Sequence, residues 1–354
     1  MDRQAARKGE DQKMIAKKGS ITLVDVARLA GVSLKTASRA LNDSPELRPE
    51  TGARVREAMA KLGYQPNELA RGLKARRSAA IAMIVPNLAD PFTSAAVQAV
   101  QEIARENGHA VILASSGGDV DLEESELKIM LRRQIDGVVL MAASSGKSNL
   151  KLLLAKNVPI VVFDEPLRGG EVDNITVTNR KSAREATEHL LAHGYRRILA
   201  VGARPHLYTC SERLAGYRSA VRGAGLEPVE LLVQHESDLT PELLSPFLSG
   251  PNRVDAIFTL NWVCTMLVLR GLNAKKKKIL TDFPLVSFDD FELAEMIPPG
   301  LTVVRQPAHE LGHQAAKALF ERMSGTRKQP PRKIVLSTEF IVRGSCGCKP
   351  KVSG

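Results

Sequence analysis

The amino-acid sequence predicts a chain of two parts: an N-terminal all-α headpiece carrying a helix-turn-helix, then a two-lobed α/β domain with parallel sheets. Three observations predict this. Between Ile21 and Asn42 (ITLVDVARLAGVSLKTASRALN) two short helical patterns flank a single glycine. Beyond residue 78, short apolar runs alternate with amphipathic stretches, the signature of βα units. The charge is also uneven, because residues 1–77 hold 17 Lys/Arg against 9 Asp/Glu, which is +8 of the formal total of +11.

In the headpiece, Thr22 can N-cap a first helix whose apolar positions Leu23, Val26, Ala27 and Ala30 keep helical spacing. Gly31 permits a tight turn, because a residue without a β-carbon adopts left-handed backbone freely. Ser33 can N-cap a second helix, with Ala37, Ala40 and Leu41 inward and Leu34, Lys35, Ser38 and Arg39 outward. Small residues at Ala27, Ala30 and Ala37 let the two helices cross closely, and the outward face is polar, basic and one helix wide. Such a helix fits the major groove of DNA. Arg48-Pro49-Glu50-Thr51 opens a third helix through Val55, Ala58, Met59 and Leu62.

In the body, the strands are expected at Ile81–Val85, Ala110–Ala114, Gly137–Met141, Ile160–Phe163, Ile198–Val201, Ala256–Leu260 and Leu285–Phe288. Helices are expected at Phe92–Asn107, Leu122–Arg133, Ser182–His193 and Ser211–Gly223. These are too many parallel strands for one compact sheet, so two similar lobes follow, with a ligand in the cleft at the strands' carboxyl ends.

The basic excess favours a polyanionic partner over a membrane, since Lys and Arg contacts to phosphates release counterions. Residues 1–20 read as a disordered basic arm. They hold no apolar core of signal-peptide length and no later run is long enough to span a membrane, so a cytoplasmic location is expected. The four cysteines, Cys210, Cys264, Cys346 and Cys348, form no disulfide framework in a chain this long and are expected as free thiols. Cys346-Gly347-Cys348 has no second ligand pair nearby in sequence.

The run 21–42 resembles the DNA-binding headpiece of the lactose/galactose repressor (LacI/GalR) family. The likeness continues through Leu62-Gly63-Tyr64-Gln65-Pro66-Asn67, Asn87-Leu88-Ala89-Asp90-Pro91-Phe92, Ile135-Asp136-Gly137-Val138-Val139, Glu188-His189-Leu190-Leu191, Glu212-Arg213-Leu214-Ala215-Gly216-Tyr217, Phe288-Asp289-Asp290 and Leu301-Thr302-Val303-Val304-Arg305-Gln306-Pro307. It covers residues 21–345. The resemblance implies a helix-turn-helix domain at 21–66, a hinge helix and linker at 67–78, a periplasmic-binding-protein-like effector and dimerisation domain at 79–345, and a tail at 346–354. One lobe would take residues 79–178 with a return near 306–335, and the other 179–305 with the terminal strands.

By matching position, the resemblance gives Leu34, Lys35 and Arg39 to base edges and Thr22, Ser33, Thr36, Ser38 and Asn42 to the DNA backbone. In the hinge, Leu73 matches a minor-groove wedge flanked by Asn67 and Lys74. It places Asp90, Phe92, Asp164, Arg213, Asn261 and Asp289 in the effector cleft. Two departures lie close by: Trp262 follows Asn261 where an acid is common, and Glu165 follows Asp164 where Arg is usual. Trp262 can stack on a sugar ring or fill a packing gap.

The expected function is that of a homodimeric, non-enzymatic transcriptional regulator, a repressor on a pseudo-palindromic double-stranded DNA operator, controlled by a small-molecule effector of the sugar class, with no cofactor, metal or membrane partner. A transport solute-binding protein would share the lobes but leave residues 21–77 unexplained. A zinc hydrolase would use His309-Glu310-Leu311-Gly312-His313, which fits H-E-x-x-H. That stretch also reads as an ordinary amphipathic helix, and no third ligand is apparent. His189 and His193 share the same i, i+4 spacing and the same plain helical reading. Lys275–Lys278 reads as a solvated loop.

Overall fold

The computed structural model describes residues 21–41, 44, 46–64, 78–146, 150–169, 171–277, 282–326 and 329–348. It divides into two compact units, with the boundary between Ser78 and Ala79. The expected arm (1–20), Asn42, and the hinge residues Asn67, Leu73 and Lys74 lie outside the described residues.

The N-terminal unit contains α1 (Leu23–Ala30), α2 (Leu34–Leu41) and α3 (Pro49–Leu62). At the start of α1 the Asp25 carboxylate accepts both the Thr22 backbone N–H (3.0 Å) and its hydroxyl (2.6 Å). Gly31 ends the helix at φ +64°, and Val32 N–H then returns to Ala27 O at 3.0 Å. Arg54 of α3 donates to Ala30 O (2.6 Å) and Gly31 O (3.2 Å), so the turn is also held from outside. The core is Val26, Ala27, Ala30, Ala37, Ala40, Val55 and Ala58. Such small side chains bring the helices close but bury little apolar area, which leaves the unit dependent on its caps.

In the second unit the chain runs β1 (Ala80–Val85), α4 (Pro91–Glu106), β2 (Ala110–Ser115), α5 (Val120–Arg132), β3 (Gly137–Leu140), α6 (Leu150–Ala155), β4 (Ile160–Phe163) and β5 (Asp173–Val177). It crosses into a second lobe of α7 (Asn179–Ala192), β6 (Ile198–Ala203), α8 (Tyr208–Gly223), β7 (Val229–Val233), α9 (Pro241–Leu248), β8 (Ala256–Thr259), α10 (Trp262–Ala274), β9 (Leu285–Phe288) and β10 (Thr302–Arg305). It returns as α11 (Ala308–Met323) and β11 (Lys333–Leu336), then crosses again to β12 (Glu339–Ile341).

The first sheet has the order β11-β5-β4-β3-β1-β2 and is parallel throughout. The second, β12-β10-β9-β8-β6-β7, is parallel except for the antiparallel β12–β10 pair. In both, the strand order reverses beside the first strand of the lobe, β1 or β6, and loops leaving the carboxyl ends there open a crevice. The central strands β1, β3, β4, β6, β8 and β9 are buried along their whole length, as a sheet covered on both faces requires. Helix α11 lies against α4 so closely that a β-carbon on Gly312 would overlap the Ala96 carbonyl.

Cys346, which the sequence reading leaves in the tail, is fully buried in the second lobe's core beside Val304 and Leu190. No helix among the described residues is long and apolar enough to cross a membrane.

Candidate nucleic-acid interface and ligand cavity

On α2, Ala37 and Ala40 are buried while Leu34, Lys35 and Arg39 are exposed, Leu34 at 50%. The three residues assigned to base edges therefore share the free face of one helix. Arg39 reaches Glu46 at 3.5 Å, with both side chains open to solvent. An exposed pair of this kind contributes at most about 1 kcal/mol, so the guanidinium can be drawn away at little cost. Ser33 Oγ accepts the Thr36 N–H at 3.1 Å and shares a hydrogen bond with the Thr36 hydroxyl at 2.8 Å. If Thr36 donates to Ser33, the Ser33 proton is available to a phosphate oxygen. Thr22 spends its hydroxyl on Asp25, so a phosphate contact there requires that bond to break. Ser38 is partly buried on the same helix.

In the second unit, a cavity of about 490 Å³ opens at the carboxyl ends of both sheets. Asp90, Phe92, Asp164, Arg213, Asn261 and Asp289 all line it. Asp90 and Asn261 serve two purposes: their side chains N-cap α4 and α10, accepting from Phe92 N (2.9 Å) and Cys264 N (2.8 Å), which fixes them at the rim. Arg213 is almost wholly buried. It donates to Asn179 Oδ1 (2.8 Å) and Leu260 O (2.8 Å), lies 3.8 Å above the Phe288 ring centre and stands 3.8 Å from Asp289. Asp289, at φ +77°, accepts from Trp262 N (3.0 Å) and Gln306 Nε2 (2.6 Å).

The electrostatics of this wall are frustrated. Burial, with Asp289 adding to it, pushes the Asp90 carboxyl up to about 6. Asp164 lies deep in the molecule yet faces cavity space; burial pushes its carboxyl up to about 7 against the opposing pull of Arg213. Among the described residues, the cavity-lining atoms Asp164 Oδ1 and Gln306 Oε1 are buried without a hydrogen-bond partner. Unsatisfied polar atoms beside a cavity mark where a bound molecule supplies the missing partners.

Sequence reasoning missed several residues here. Gln306 and Arg204 also line the cavity. Glu165, noted only as a departure, is buried and joins the lobes. Its carboxylate accepts from Ser145 Oγ in the first lobe (2.7 Å) and from Tyr208 N (2.5 Å) and Thr209 N (3.2 Å) at the start of α8 in the second. A carboxylate at a helix N-terminus complements its unpaired N–H groups, which is why an acid rather than Arg suits this position. Arg204, at φ +52°, crosses in the other direction to Gly118 O (2.9 Å) and Gly117 O (3.2 Å) while pairing with Glu236 (3.1 Å). The lobes are thus latched at two places beside the cavity.

Trp262 requires a correction, because its indole does not line the cavity. It packs edge-on to Phe291, with centroids 6.4 Å apart, and Val263 takes the wall position. As the first residue of a helix capped by Asn261, Trp262 reaches the site only through its backbone N–H. In the H-E-x-x-H stretch, His309 Nε2 is 2.9 Å from Glu102 of α4, and the described residues place no metal-ligand cluster there.

A headpiece with an exposed basic helix, joined to a two-lobed domain with a ligand cavity, defines a ligand-responsive DNA-binding regulator. Comparison with known proteins agrees. The pattern described as "Bacterial regulatory proteins, lacI family" matches residues 22–67, and that of a "Periplasmic binding protein-like domain" matches residues 187–346. The HTH-type transcriptional regulator CelR of Thermobifida fusca is 33% identical over 92% of this chain and 98% of its own length. The ribose operon repressor of Escherichia coli K12 is 30% identical over 92% and 99%. Among solved structures, the lac repressor dimer bound to operator and the anti-inducer ONPF shares the fold (TM-score 0.80, 22% identity, 92% of this chain and 99% of that one). A CelR–cellobiose complex aligns with TM-score 0.67 at 29% identity, over 92% and 100%. The chain belongs to the lacI family of DNA-binding transcriptional regulators.

Proposed function

We propose that this protein is a homodimeric repressor whose operator affinity is set by a neutral sugar held between its lobes. The observation that carries the reading is the chemistry of the cavity wall. Its two guanidinium groups are already engaged within the protein, Arg213 by Asn179, Leu260 and Asp289, and Arg204 by Glu236 and two carbonyls. What remains open is mainly acceptor: Asp164 Oδ1 and Gln306 Oε1, among the carboxylates of Asp90, Asp289 and Glu236. Such a wall selects a ligand rich in hydroxyl donors and repels phosphates and sugar acids. Phe92, Met141, Leu207, Leu260 and Val263 give it apolar surface to lie on. That CelR forms a complex with cellobiose supports the same class.

Glu165 and Arg204 make closure the mechanical event. A sugar that bridges Asp164 in one lobe and Asp289 in the other strengthens the same closure those two latches maintain. Differential affinity for the open and closed forms then becomes differential affinity for DNA. Two-fold symmetry of the dimer is matched by a pseudo-palindromic operator, with Lys35 and Arg39 on guanine edges and Leu34 against a thymine methyl.

The test is selection of bound sequences from random duplex DNA by the purified full chain, followed by titration of the selected site with neutral mono- and disaccharides, sugar acids and phosphosugars. The expected result is one pseudo-palindromic consensus and a neutral sugar that changes affinity roughly 5- to 150-fold. A response confined to anionic sugars refutes the assignment of the cavity, and no preference for any duplex refutes the repressor reading.

A further inference from the structure

Two residue pairs that lie far apart in the sequence meet at the end of α7 away from the cavity. His189, in the last turn of that helix, and His193, its C-cap, face Cys346 and Cys348 of the segment after β12. One donor atom from each of the four lies within 4.8 Å of every other. His193 Nε2 stands 3.1 Å and His189 Nε2 3.7 Å from Cys348 Sγ. In a tetrahedral zinc centre, with bonds of about 2.3 Å to sulfur and about 2.0 Å to nitrogen, neighbouring donors stand roughly 3.3–3.8 Å apart. We propose that His189, His193, Cys346 and Cys348 form a structural Zn²⁺ site, which pins the C-terminal segment to α7.

The local architecture favours this reading over a chance meeting. Gly347 sits at φ +94°, and a β-carbon there would approach the Tyr195 hydroxyl to 2.7 Å, so the turn that presents both thiols to one point demands glycine. Around the four ligands stand groups that orient them. The Thr302 hydroxyl lies 3.1 Å from Cys346 Sγ and can donate to a thiolate, Phe340 meets the His189 ring edge-on at 5.1 Å, and Tyr195 stacks on His193 at 6.1 Å. Two thiolates with two imidazoles select zinc over magnesium or calcium. Four protein ligands fill the tetrahedron and leave no position for water, which makes the site structural and not hydrolytic. His193 is exposed, so the ion can reach it from solvent. Neither i, i+4 histidines nor Cys-Gly-Cys alone reveals this, because each pair lacks the other until β12 pairs with β10.

The site is independent of DNA and sugar, and the test uses neither. Untagged full-length protein, purified without chelator, is expected to carry one zinc per chain by elemental mass spectrometry and to release it when a mercurial blocks the thiols. Chelator-stripped protein titrated with Co²⁺ is expected to show tetrahedral ligand-field bands in the visible and a thiolate charge-transfer band in the near ultraviolet. The accessible variants His193→Ala and Cys348→Ser, checked for folding by circular dichroism, are expected to weaken Co²⁺ binding by more than about 10- to 100-fold, the range of losses when only a supporting group is removed. The proposal is overturned if folded wild type holds no zinc and gives no cobalt bands, if either variant binds cobalt as tightly as wild type, or if Cys346 and Cys348 remain disulfide-bonded under reductant with no metal bound.

Discussion

Asp164 offers the sharpest test of the cavity's electrostatics through the variant Asp164→Asn. Its backbone N–H donates to Ile175 O at 2.8 Å and its φ is +65°, a conformation that asparagine tolerates as well as aspartate, so the exchange changes charge and little else. The carboxyl's pKa stands at about 7 against an ordinary value of 3.8, raised chiefly by burial. By about pH 3, below the ordinary value of 3.8, the group is mostly protonated in both folded and unfolded chains and contributes almost no difference. Between about pH 4 and pH 7 the unfolded chain has released the proton while the folded one keeps it, so stability falls as pH rises; above about pH 7 the loss is complete. The full shift corresponds to ~4 kcal/mol, and water in the cavity screens it to about 2–3 kcal/mol. Ligand-free Asp164→Asn is therefore expected to be more stable than wild type by that amount near pH 8, by less than about half of it near pH 5, and by almost nothing near pH 3. Urea denaturation followed by circular dichroism at each pH measures it. A gap that does not change with pH, or a variant less stable than wild type at pH 8, refutes the account of Asp164 as a strained carboxylate. The same variant is expected to bind its sugar about 10-fold or more weakly, through loss of a charged acceptor.

Other perturbations separate the remaining parts. Replacing Lys35 or Arg39 by Ala is expected to weaken operator binding by about 1–3 kcal/mol and relax preference at one base position, read by binding to single-base operator variants; a uniform loss across all sequences would instead place these side chains on phosphates. Glu165→Gln keeps the size of the side chain but removes the charge at the start of α8. It is expected to lower ligand affinity several-fold and enlarge the radius of gyration of the loaded form in small-angle scattering, whereas unchanged scattering and affinity would show that this bridge does not govern closure. Arg54→Ala uncovers the Ala30 and Gly31 carbonyls and is expected to destabilise the headpiece by about 1–2 kcal/mol in thermal denaturation, with the melting of the second unit unmoved. An unaltered headpiece transition would show that water replaces the guanidinium without penalty.

Legibility in the sequence followed burial. The fully buried strands β1, β4 and β9 stand out as apolar runs because both faces are covered. Strand β5 escapes that reading because Asp173, Asn174 and Thr176 interrupt it. All three are buried, and for the first two the structure supplies partners the sequence cannot show: Asp173 accepts from Arg322 Nε (2.9 Å) and Arg332 N (2.6 Å), and Asn174 Oδ1 accepts from Leu167 N (3.0 Å). The edge strand β7 hides for the opposite reason, since it is half exposed and carries Glu230 in a two-pronged pair with Arg218 at 2.7 Å. Of the candidate site, Arg213 and Asp289 were visible through flanking motifs. The bridging role of Glu165 was not, because a lone acid reveals nothing until the start of α8 is brought against it. For Trp262 the residue type allowed either sugar stacking or packing, and only the structure shows its ring set edge-on against Phe291.

The path of the chain through the second unit has a consequence for how it can be dissected. It passes between the lobes after β5, after β10 and after β11, so neither lobe is a continuous stretch of sequence. A fragment ending before α11 lacks the helix that covers Ala96 and the edge strand β11, both parts of the first lobe, and it also loses β12 from the second. No single scission yields a half that contains all of its own layers. Expression of either lobe alone therefore requires splicing distant segments, and a protease nick at any one crossing leaves two covalent tethers in place.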